Sequence, residues 1–482
     1  MTTFLPLLPL MILTGAILVL MMAIAFIRNL ALSCGISVIG LMLTLISVIW
    51  VNLNLEPSYV TPLLRVDDFG LLFSGIIAVT ALFICLLAYS YHQNRGEHQD
   101  EFFLLLLLAT LGAMVLTISV HFASFVLGLE LLGISIYALI SYPTKGVFSL
   151  EAALKYLILS GISSAFILFG AGLLYAVSGT LSFADFAAGG IPNTGTGQIF
   201  VLAGSAMMLA GIGFKLSLVP FHMWTPDVYE GAPAPVAGFL ATISKGSVFV
   251  ALMRFFLAVD GYQYDSIMTG LYWIAGLSML LGNILALLQS SIKRLLAYSS
   301  IAQFGYLMVA FIAISELAGK HLAIEAAVFF LIAYFITTIG AFGVVTIMSD
   351  KSEDHDLDSL DAYQGLFWQR PLLAAFMSIM LLSLAGIPLT AGFVGKFYIL
   401  ASGVESQLWP LLVIVVIGSG IGLFYYLRVI YAMTKKAAAN TDIKVPAAGG
   451  WTMAVVTLVL LVLGVYPGPV IEWVSNMALQ LV

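Results

Sequence analysis

Charge is what this sequence has least of. Only 9% of its 482 residues are Asp, Glu, Lys or Arg, against roughly 25% in soluble domains. A mean hydropathy of +1.10 leaves too little polar surface to coat a water-soluble globule. With a net charge of −6 and no basic stripe, nothing points to nucleic acid. Cysteine is almost absent, and both Cys34 and Cys85 fall inside apolar runs, where they read as small packing residues and not as a structural disulfide. No Gly-rich dinucleotide fingerprint follows a strand, no cysteine cluster suits an iron–sulfur centre, and no histidine pair suits a haem. Redox chemistry is therefore not expected of this chain itself. Met1–Leu8 has no basic residue, so the first apolar run reads as a retained helix and not as a cleaved signal.

Long apolar runs are what the sequence does have. A transmembrane helix needs roughly 17–25 mostly apolar residues. Fourteen such spans are read near 4–27, 30–51, 70–90, 102–119, 121–142, 152–176, 199–224, 235–257, 267–288, 295–314, 323–348, 371–402, 408–432 and 451–475. The fold class is an all-α polytopic membrane protein, with no stretch left over for a separate soluble domain. The longest polar loops are 178–197 and 349–370. With the N-terminus outside, inner loops hold Arg28, Arg95, Lys145, Lys293, Arg294, Lys351, Arg370, Arg428, Lys435, Lys436 and Lys444, and outer loops only Arg65 and Lys320. That asymmetry follows the positive-inside rule and puts both termini outside.

Five cations remain within the spans: Lys155, Lys215, Lys245, Arg254 and Lys396. A charge at mid-bilayer costs about 2.5–3.5 kcal/mol and usually faces the bundle interior to serve function. Lys245 sits at the middle of its span, as does Glu130. Lys215 and Lys396 lie past the middle of theirs. Arg254, close to an outer end, reads as a snorkelling residue, and Lys155 lies near an inner end. Structural ion pairing accounts for one lysine beside one acid. It does not account for three lysines and a single glutamate. A lysine desolvated without a full counter-charge gives up its proton more readily than one in water, which makes it a proton carrier.

Two spans are also interrupted. Pro220 follows Lys215, and Gly386, Pro388 and Gly392 precede Lys396. Proline removes a helical hydrogen bond and clashes with the turn before it, and paired broken helices point to a transport site. The string Leu209-Ala210-Gly211-Ile212 recurs 175 residues on as Leu384-Ala385-Gly386-Ile387. Ser163-Ser164 and Phe169-Gly170 recur as Thr337-Thr338 and Phe342-Gly343 at nearly the same offset. Helices four to eight thus match helices nine to thirteen, and an odd number per unit turns the second unit upside down. The chain divides into 1–100 (helices one to three), 101–257 and 258–433 (the inverted repeats) and 434–482 (the last helix).

The stretch from Gly213 to Pro235, with Pro220-Phe-His-Met-Trp-Thr-Pro-Asp-Val-Tyr-Glu-Gly-Ala-Pro233 inside it, resembles the antiporter-like subunits of respiratory complex I, the proton-pumping NADH:quinone oxidoreductase. The wording looks like the N-type. Ile292-Lys-Arg-Leu-Leu-Ala-Tyr-Ser-Ser-Ile301, Leu384 to Tyr398 and Tyr425-Tyr-Leu-Arg428 carry the same resemblance, which covers essentially the whole chain. The L-type ends in a long lateral helix absent here, and the M-type has a glutamate where this chain has Lys396.

The resemblance implies a buried proton relay. Glu130 matches the helix-five glutamate, Lys215 its paired lysine, and Lys155 a lysine near that pair. Lys245 matches the connecting lysine and Lys396 the lysine of the second half. The family's Ser-Ser-Ile-x-His pattern reads Ser299-Ser300-Ile301-Ala302-Gln303 here, so Gln303 orients a proton path without titrating. The six histidines, at 92, 98, 121, 222, 321 and 355, sit in loops or at helix ends, and His222 is a secondary candidate for lining an inner access path. The resemblance further implies no cofactor in this chain, with flavin, iron–sulfur clusters and quinone in other subunits. Its expected partners are the lipid bilayer and membrane-arm subunits of M-type and K-type, in a bacterial inner membrane. A cation/proton antiporter subunit of the multi-subunit Na⁺/H⁺ type is the alternative.

Overall fold

The computed structural model describes residues 2–93, 99–142, 147–189, 195–315, 319–350, 356–436 and 445–481. His98 and His355 lie outside the described residues, as do the inner-loop cations Arg95, Lys145, Lys351 and Lys444. Nearly everything described is helix. The first six helices are α1 (Leu8–Phe26), α2 (Leu30–Asn54), α3 (Asp68–Gln93), α4 (Glu101–Ile118), α5 (Phe122–Ser141) and α6 (Val147–Ser178). A short antiparallel hairpin, Ser58–Thr61 with Leu64–Val66, joins α2 to α3. Next come α7 (Phe183–Gly189), α8 (Gly195–Lys215), α9 (Trp224–Gly231), α10 (Ala234–Phe239) and α11 (Lys245–Val259). The chain continues through α12 (Asp265–Leu287), α13 (Ile292–Ala313), α14 (Lys320–Met348) and α15 (Leu366–Gln369). It closes with α16 (Pro371–Ala385), α17 (Ala391–Glu405), α18 (Trp409–Thr434), α19 (Ala447–Val465) and α20 (Gly468–Leu481).

Thirteen helices among the described residues are long and apolar enough to cross a membrane. The remaining expected crossing, 371–402, is two half-helices. Each has 15 residues, about 22 Å at 1.5 Å per residue, too short to span a roughly 30 Å core alone. The α10–α11 segment, α13 and α14 are almost wholly enclosed, whereas α1, α6, α12, α18 and α19 keep a largely exposed face. Exposed Leu18, Ile158, Val416 and Leu458 are what a lipid-facing surface requires, because hydrocarbon imposes no cost on them. Cys34 and Cys85 are free and buried, with Sγ atoms 3.9 Å apart.

Three expectations need correcting. The span read as 199–224 is the helix 195–215, and Pro220 lies in the turn after it. The α8 helix, with 21 residues, is long enough to cross without the proline. The span read as 451–475 is two helices, because Tyr466-Pro467-Gly468 ends α19 and α20 then packs against α14. Arg254 does not snorkel. It is 6% exposed and donates through both terminal nitrogens to Asp67 at 2.7 Å, with Nε on the Thr117 carbonyl at 3.0 Å. Its partner stands 187 residues earlier, in the turn before α3, so nothing local in the sequence announces it.

The repeated tetrapeptide takes two conformations. Leu209–Ile212 continues as helix, while Gly386 of the second copy sits at φ +85° and closes α16. The reason is two residues downstream. Pro388 cannot continue a helix, whereas Ile212 is followed by seven residues before its first proline.

Candidate functional site

Each central lysine stands where a helix ends or deforms. Lys215 is the last residue of α8, followed by Ser217 at φ +59°. A cation in a helix's last turn complements its unsatisfied carbonyls. Lys215 is 6% exposed and donates to Ser160 Oγ of α6 at 2.6 Å. Glu130 and Gly133, one turn apart on α5, share a face. A Cβ at Gly133 would lie 3.8 Å from Lys215 Nζ, so the bare glycine opens α5 to the lysine. Among the described residues, Glu130 and Lys215 make no ion-pair contact, the Lys215 ammonium being taken by Ser160 instead. Glu130 Oε1 is buried with no hydrogen-bond partner.

Lys245 opens α11 directly after a π-helical turn, Leu240–Ser244, a local distortion frequent at functional positions. It is 1% exposed. Its Nζ donates to Ser300 Oγ at 2.8 Å and lies 5.3 Å and 5.4 Å from the ring centres of Tyr229 and Phe304. Ser300 Oγ also bonds Tyr334 OH at 2.7 Å.

Lys396 reaches back across the break in its own span. Its Nζ donates to the Leu384 and Ala385 carbonyls at 2.9 Å and 3.0 Å and lies 4.9 Å from the Tyr306 ring centre. Those carbonyls belong to the end of α16 and have no helical partner. The N–H groups of Gly386 and Ile387 take the two before them. Gln303 Nε2 donates to the same Leu384 carbonyl at 3.0 Å and contacts Tyr426 OH at 3.5 Å. Tyr426 OH is bonded to Ser299 Oγ.

Helix α13 therefore stands between the two lysines. Ser300 and Phe304, four residues apart, turn to Lys245. Ser299, Gln303 and Tyr306 follow at i, i+4 and i+7 and turn to the Lys396 side, which is the spacing of one helical face. Ser160, Ser299, Ser300, Tyr306, Tyr334 and Tyr426 were not singled out from the sequence. The available signal was that all six are polar or aromatic-polar residues inside apolar spans, four of them within or beside the strings that carry the family resemblance.

The other candidates lie at the inner ends of the helices. Lys155 is 40% exposed and holds Asp227 at 2.7 Å and Glu151 at 2.8 Å. Asp227 is shared with Arg294 of α13 at 2.8 Å, and Arg294 also holds Glu230 at 2.7 Å. Burial alone would raise the Asp227 carboxyl, but hydrogen bonds from Lys155 and Arg294, with their charges, outweigh it and hold the group below the usual carboxylate range. His222 is buried in the turn between α8 and α9, and burial pushes its imidazole below the usual range. Buried Lys293 caps the Ala232 carbonyl and holds Asp356 at 2.8 Å. Arg254, Lys293, Arg294 and Lys155 thus all hold carboxylates, whereas Lys215, Lys245 and Lys396 hold hydroxyls, carbonyls and ring faces. Among the described residues no group of three His, Cys, Asp or Glu side chains is placed to hold a metal.

Gly386 is the backbone pivot of this arrangement. Alanine there would be strained at positive φ, and its Cβ would lie 2.9 Å from Lys396 Cδ. Gly386→Ala is expected to lower stability by about 1–2 kcal/mol, read as a lower thermal unfolding midpoint in detergent.

Residues 119–422 match a family model described as NADH:quinone oxidoreductase/Mrp antiporter, TM. A chain of respiratory complex I from Thermus thermophilus, solved with bound aureothin, is 31% identical with a TM-score of 0.82, the match covering 96% of this chain and 98% of that one. A chain of the membrane-bound sulfane sulfur reductase, an archaeal respiratory membrane complex, is 25% identical with a TM-score of 0.84 over 99% and 97%. A chain of the Mrp complex from Dietzia sp. DQ12-45-1b shares the fold, with a TM-score of 0.86 over 99% and 97% at 18% identity.

Proposed function

Because the chain belongs to the NADH:quinone oxidoreductase/Mrp antiporter family of membrane subunits, we propose that it is the N-type, proton-translocating subunit of a respiratory NADH:quinone oxidoreductase. It performs no redox step itself, and its partners are the other membrane-arm subunits. One observation carries the reading. Three lysines are buried without a carboxylate in contact, while the cations with structural roles each hold one.

In the cycle, the field of Glu130 keeps Lys215 charged, with Ser160 accepting a hydrogen bond from its ammonium. A change of charge in a neighbouring subunit weakens that field, and the proton passes to Lys245. From Ser300 it crosses around α13 to the Ser299–Tyr426–Gln303 side and reaches Lys396. Opposite charge favours an ammonium and desolvation disfavours it, and no further physics is needed. Gln303 supports the last step as a donor on the carbonyl it shares with Lys396. Lys155 and Asp227 flank the inner approach, with His222 nearby as a neutral lining group. The repeated strings, with the second copy closing a half-helix at Gly386, support two inverted halves meeting at α11 and α13.

Glu130→Gln in the assembled enzyme is expected to slow proton translocation about tenfold, the effect of roughly 1.4 kcal/mol of lost charge interaction. Proton translocation and electron transfer are compared in proteoliposomes. Unchanged translocation in Glu130→Gln, Lys215→Met and Lys245→Met alike rejects the relay. Sodium-dependent transport in vesicles lacking NADH dehydrogenase would instead favour the Na⁺/H⁺ antiporter reading, which the 18% identity to the Mrp chain supports only through the shared fold.

A further inference from the structure

The outer end of α14 holds two titratable groups that the relay above does not use. Glu325 is 8% exposed, and its Oε1 lies 3.2 Å from Nδ1 of His321, one helical turn nearer the outer surface. The His321 side chain is 34% exposed. Its Nε2 stands 3.0 Å from the Ser475 carbonyl of α20, with the Ser475 hydroxyl farther off at 3.5 Å. A carbonyl only accepts, so Nε2 carries a hydrogen and donates it. That fixes what the other nitrogen can do. A neutral imidazole with its hydrogen on Nε2 has a bare lone pair at Nδ1, and a carboxylate likewise offers only lone pairs. The 3.2 Å contact therefore holds one proton, either as carboxylic acid facing imidazole or as carboxylate facing imidazolium.

The pair lies on the outward side of Lys396. A Cβ on Gly395 would come within 3.1 Å of Phe330 Cα, so α17 beside Lys396 is level with Phe330. Five residues of α14 separate Phe330 from Glu325, about 7.5 Å at 1.5 Å per residue, and α14 begins at the outer surface. Phe329 shares a helix face with Glu325 and stacks on Tyr398 of α17, which turns that face towards the helix carrying Lys396. Among the described residues, the buried acids are Asp67, Asp100, Glu325 and Asp350. Asp100 and Asp350 flank inner helix ends. Asp67 is held by Arg254, which does not deprotonate. Of the four, Glu325 is the one on the outer side that faces a group able to exchange a proton.

Taking the relay above as given, we propose that Glu325 and His321 form the outer release site for protons that leave Lys396. The observed contact is the loaded form. The proton passes from Oε1 to Nδ1, and the part-exposed imidazolium gives it to outer water and returns to the neutral ring. The emptied carboxylate then faces a bare nitrogen, lone pair to lone pair, and takes up the next proton arriving through water from Lys396. Only O–H and N–H bonds form and break, so no further reactant is needed.

The test is proton translocation by the assembled enzyme in proteoliposomes, with the unfolding midpoint in detergent measured beside it. Glu325→Gln keeps a donor facing Nδ1 but cannot give up its hydrogen, and His321→Gln keeps a donor for the Ser475 carbonyl. Translocation is expected to fall about tenfold in Glu325→Gln and less in His321→Gln. Both effects are smaller than the roughly hundredfold or more of an acid–base group without a bypass, because water reaches the outer mouth. Glu325→Asp still carries a proton and should recover most of the rate, and all three variants should keep the wild-type midpoint. Wild-type translocation in Glu325→Gln, while Lys215→Met and Lys245→Met block it, overturns the release site and leaves the relay standing. Wild-type translocation in all of them overturns the relay and this site with it. Slowed translocation that Glu325→Asp does not relieve, with a lowered midpoint, overturns the release site too and makes the pair a pin between α14 and α20.

Discussion

Lys245→Met is expected to stop proton translocation while leaving the fold at least as stable. The two halves of that result have separate causes. Lys245 is 1% exposed and holds no carboxylate, so methionine removes a buried charge without orphaning another. Replacing buried charge by a well-packed apolar side chain of similar volume is often neutral or stabilising. Ser300 keeps its bond to Tyr334, and the Tyr229 and Phe304 rings accept a thioether readily. Proton translocation should fall by about a hundredfold or more, the low end of what a positioned acid–base group contributes. Thermal unfolding in detergent and pumping in proteoliposomes give the two readouts. A lower unfolding midpoint with pumping intact would identify Lys245 as a packing element instead.

Arg254→Leu should give the opposite pattern. It leaves buried Asp67 with only the longer, more exposed ion pair to Arg65 at 3.5 Å, and breaking a buried pair from one side costs about 3–5 kcal/mol. The pair ties the turn before α3 to the end of α4 and to α11. The double replacement Asp67→Leu with Arg254→Leu should recover most of the loss, since neither charge is then stranded. Burial alone would raise the Asp67 carboxyl, but the Arg254 charge and hydrogen bonds, with the Gly70 N–H and Arg65, hold it below the ordinary carboxylate range. Its contribution to stability is therefore complete above that ordinary range. It fades only as pH falls through the lower folded-state value, so acid titration of the unfolding midpoint should show wild type losing stability where Arg254→Leu no longer does.

These two residues show what the sequence could reveal. Lys245 was legible because its cost is local: a charge at the centre of an apolar span is anomalous wherever its neighbours lie. Lys215 and Lys396 were legible for the same reason, sharpened by the glycines and prolines beside them. Arg254 was misread because its meaning depends on Asp67, a residue in another loop whose approach is a tertiary fact. The end of α8 was misplaced because Pro220 looked like a break inside a helix that had already finished. The division of α13 into a Ser300–Phe304 face and a Ser299–Gln303–Tyr306 face follows helical spacing, yet which face meets which lysine is fixed only when α11 and α17 pack on either side. The lack of an ion pair between Glu130 and Lys215 was equally invisible, since the Lys215 ammonium is taken by Ser160 of a third helix.

The carbonyls that receive Lys396 have a consequence of a different kind. The end of a helix carries roughly half a unit of negative charge, supplied here by Leu384 and Ala385. A glutamate in that place would attract the ammonium and then accept its proton, and the two groups would neutralise each other into a stalled, uncharged couple. A peptide carbonyl attracts the ammonium but has almost no proton affinity. The attraction is thus permanent and the counter-charge never fills. In the relay proposed above, a proton leaving Lys396 therefore goes onward to water or to another carrier and not to the groups that hold the ammonium. The broken helix gives the site a fixed partial negative charge that does not take up a proton.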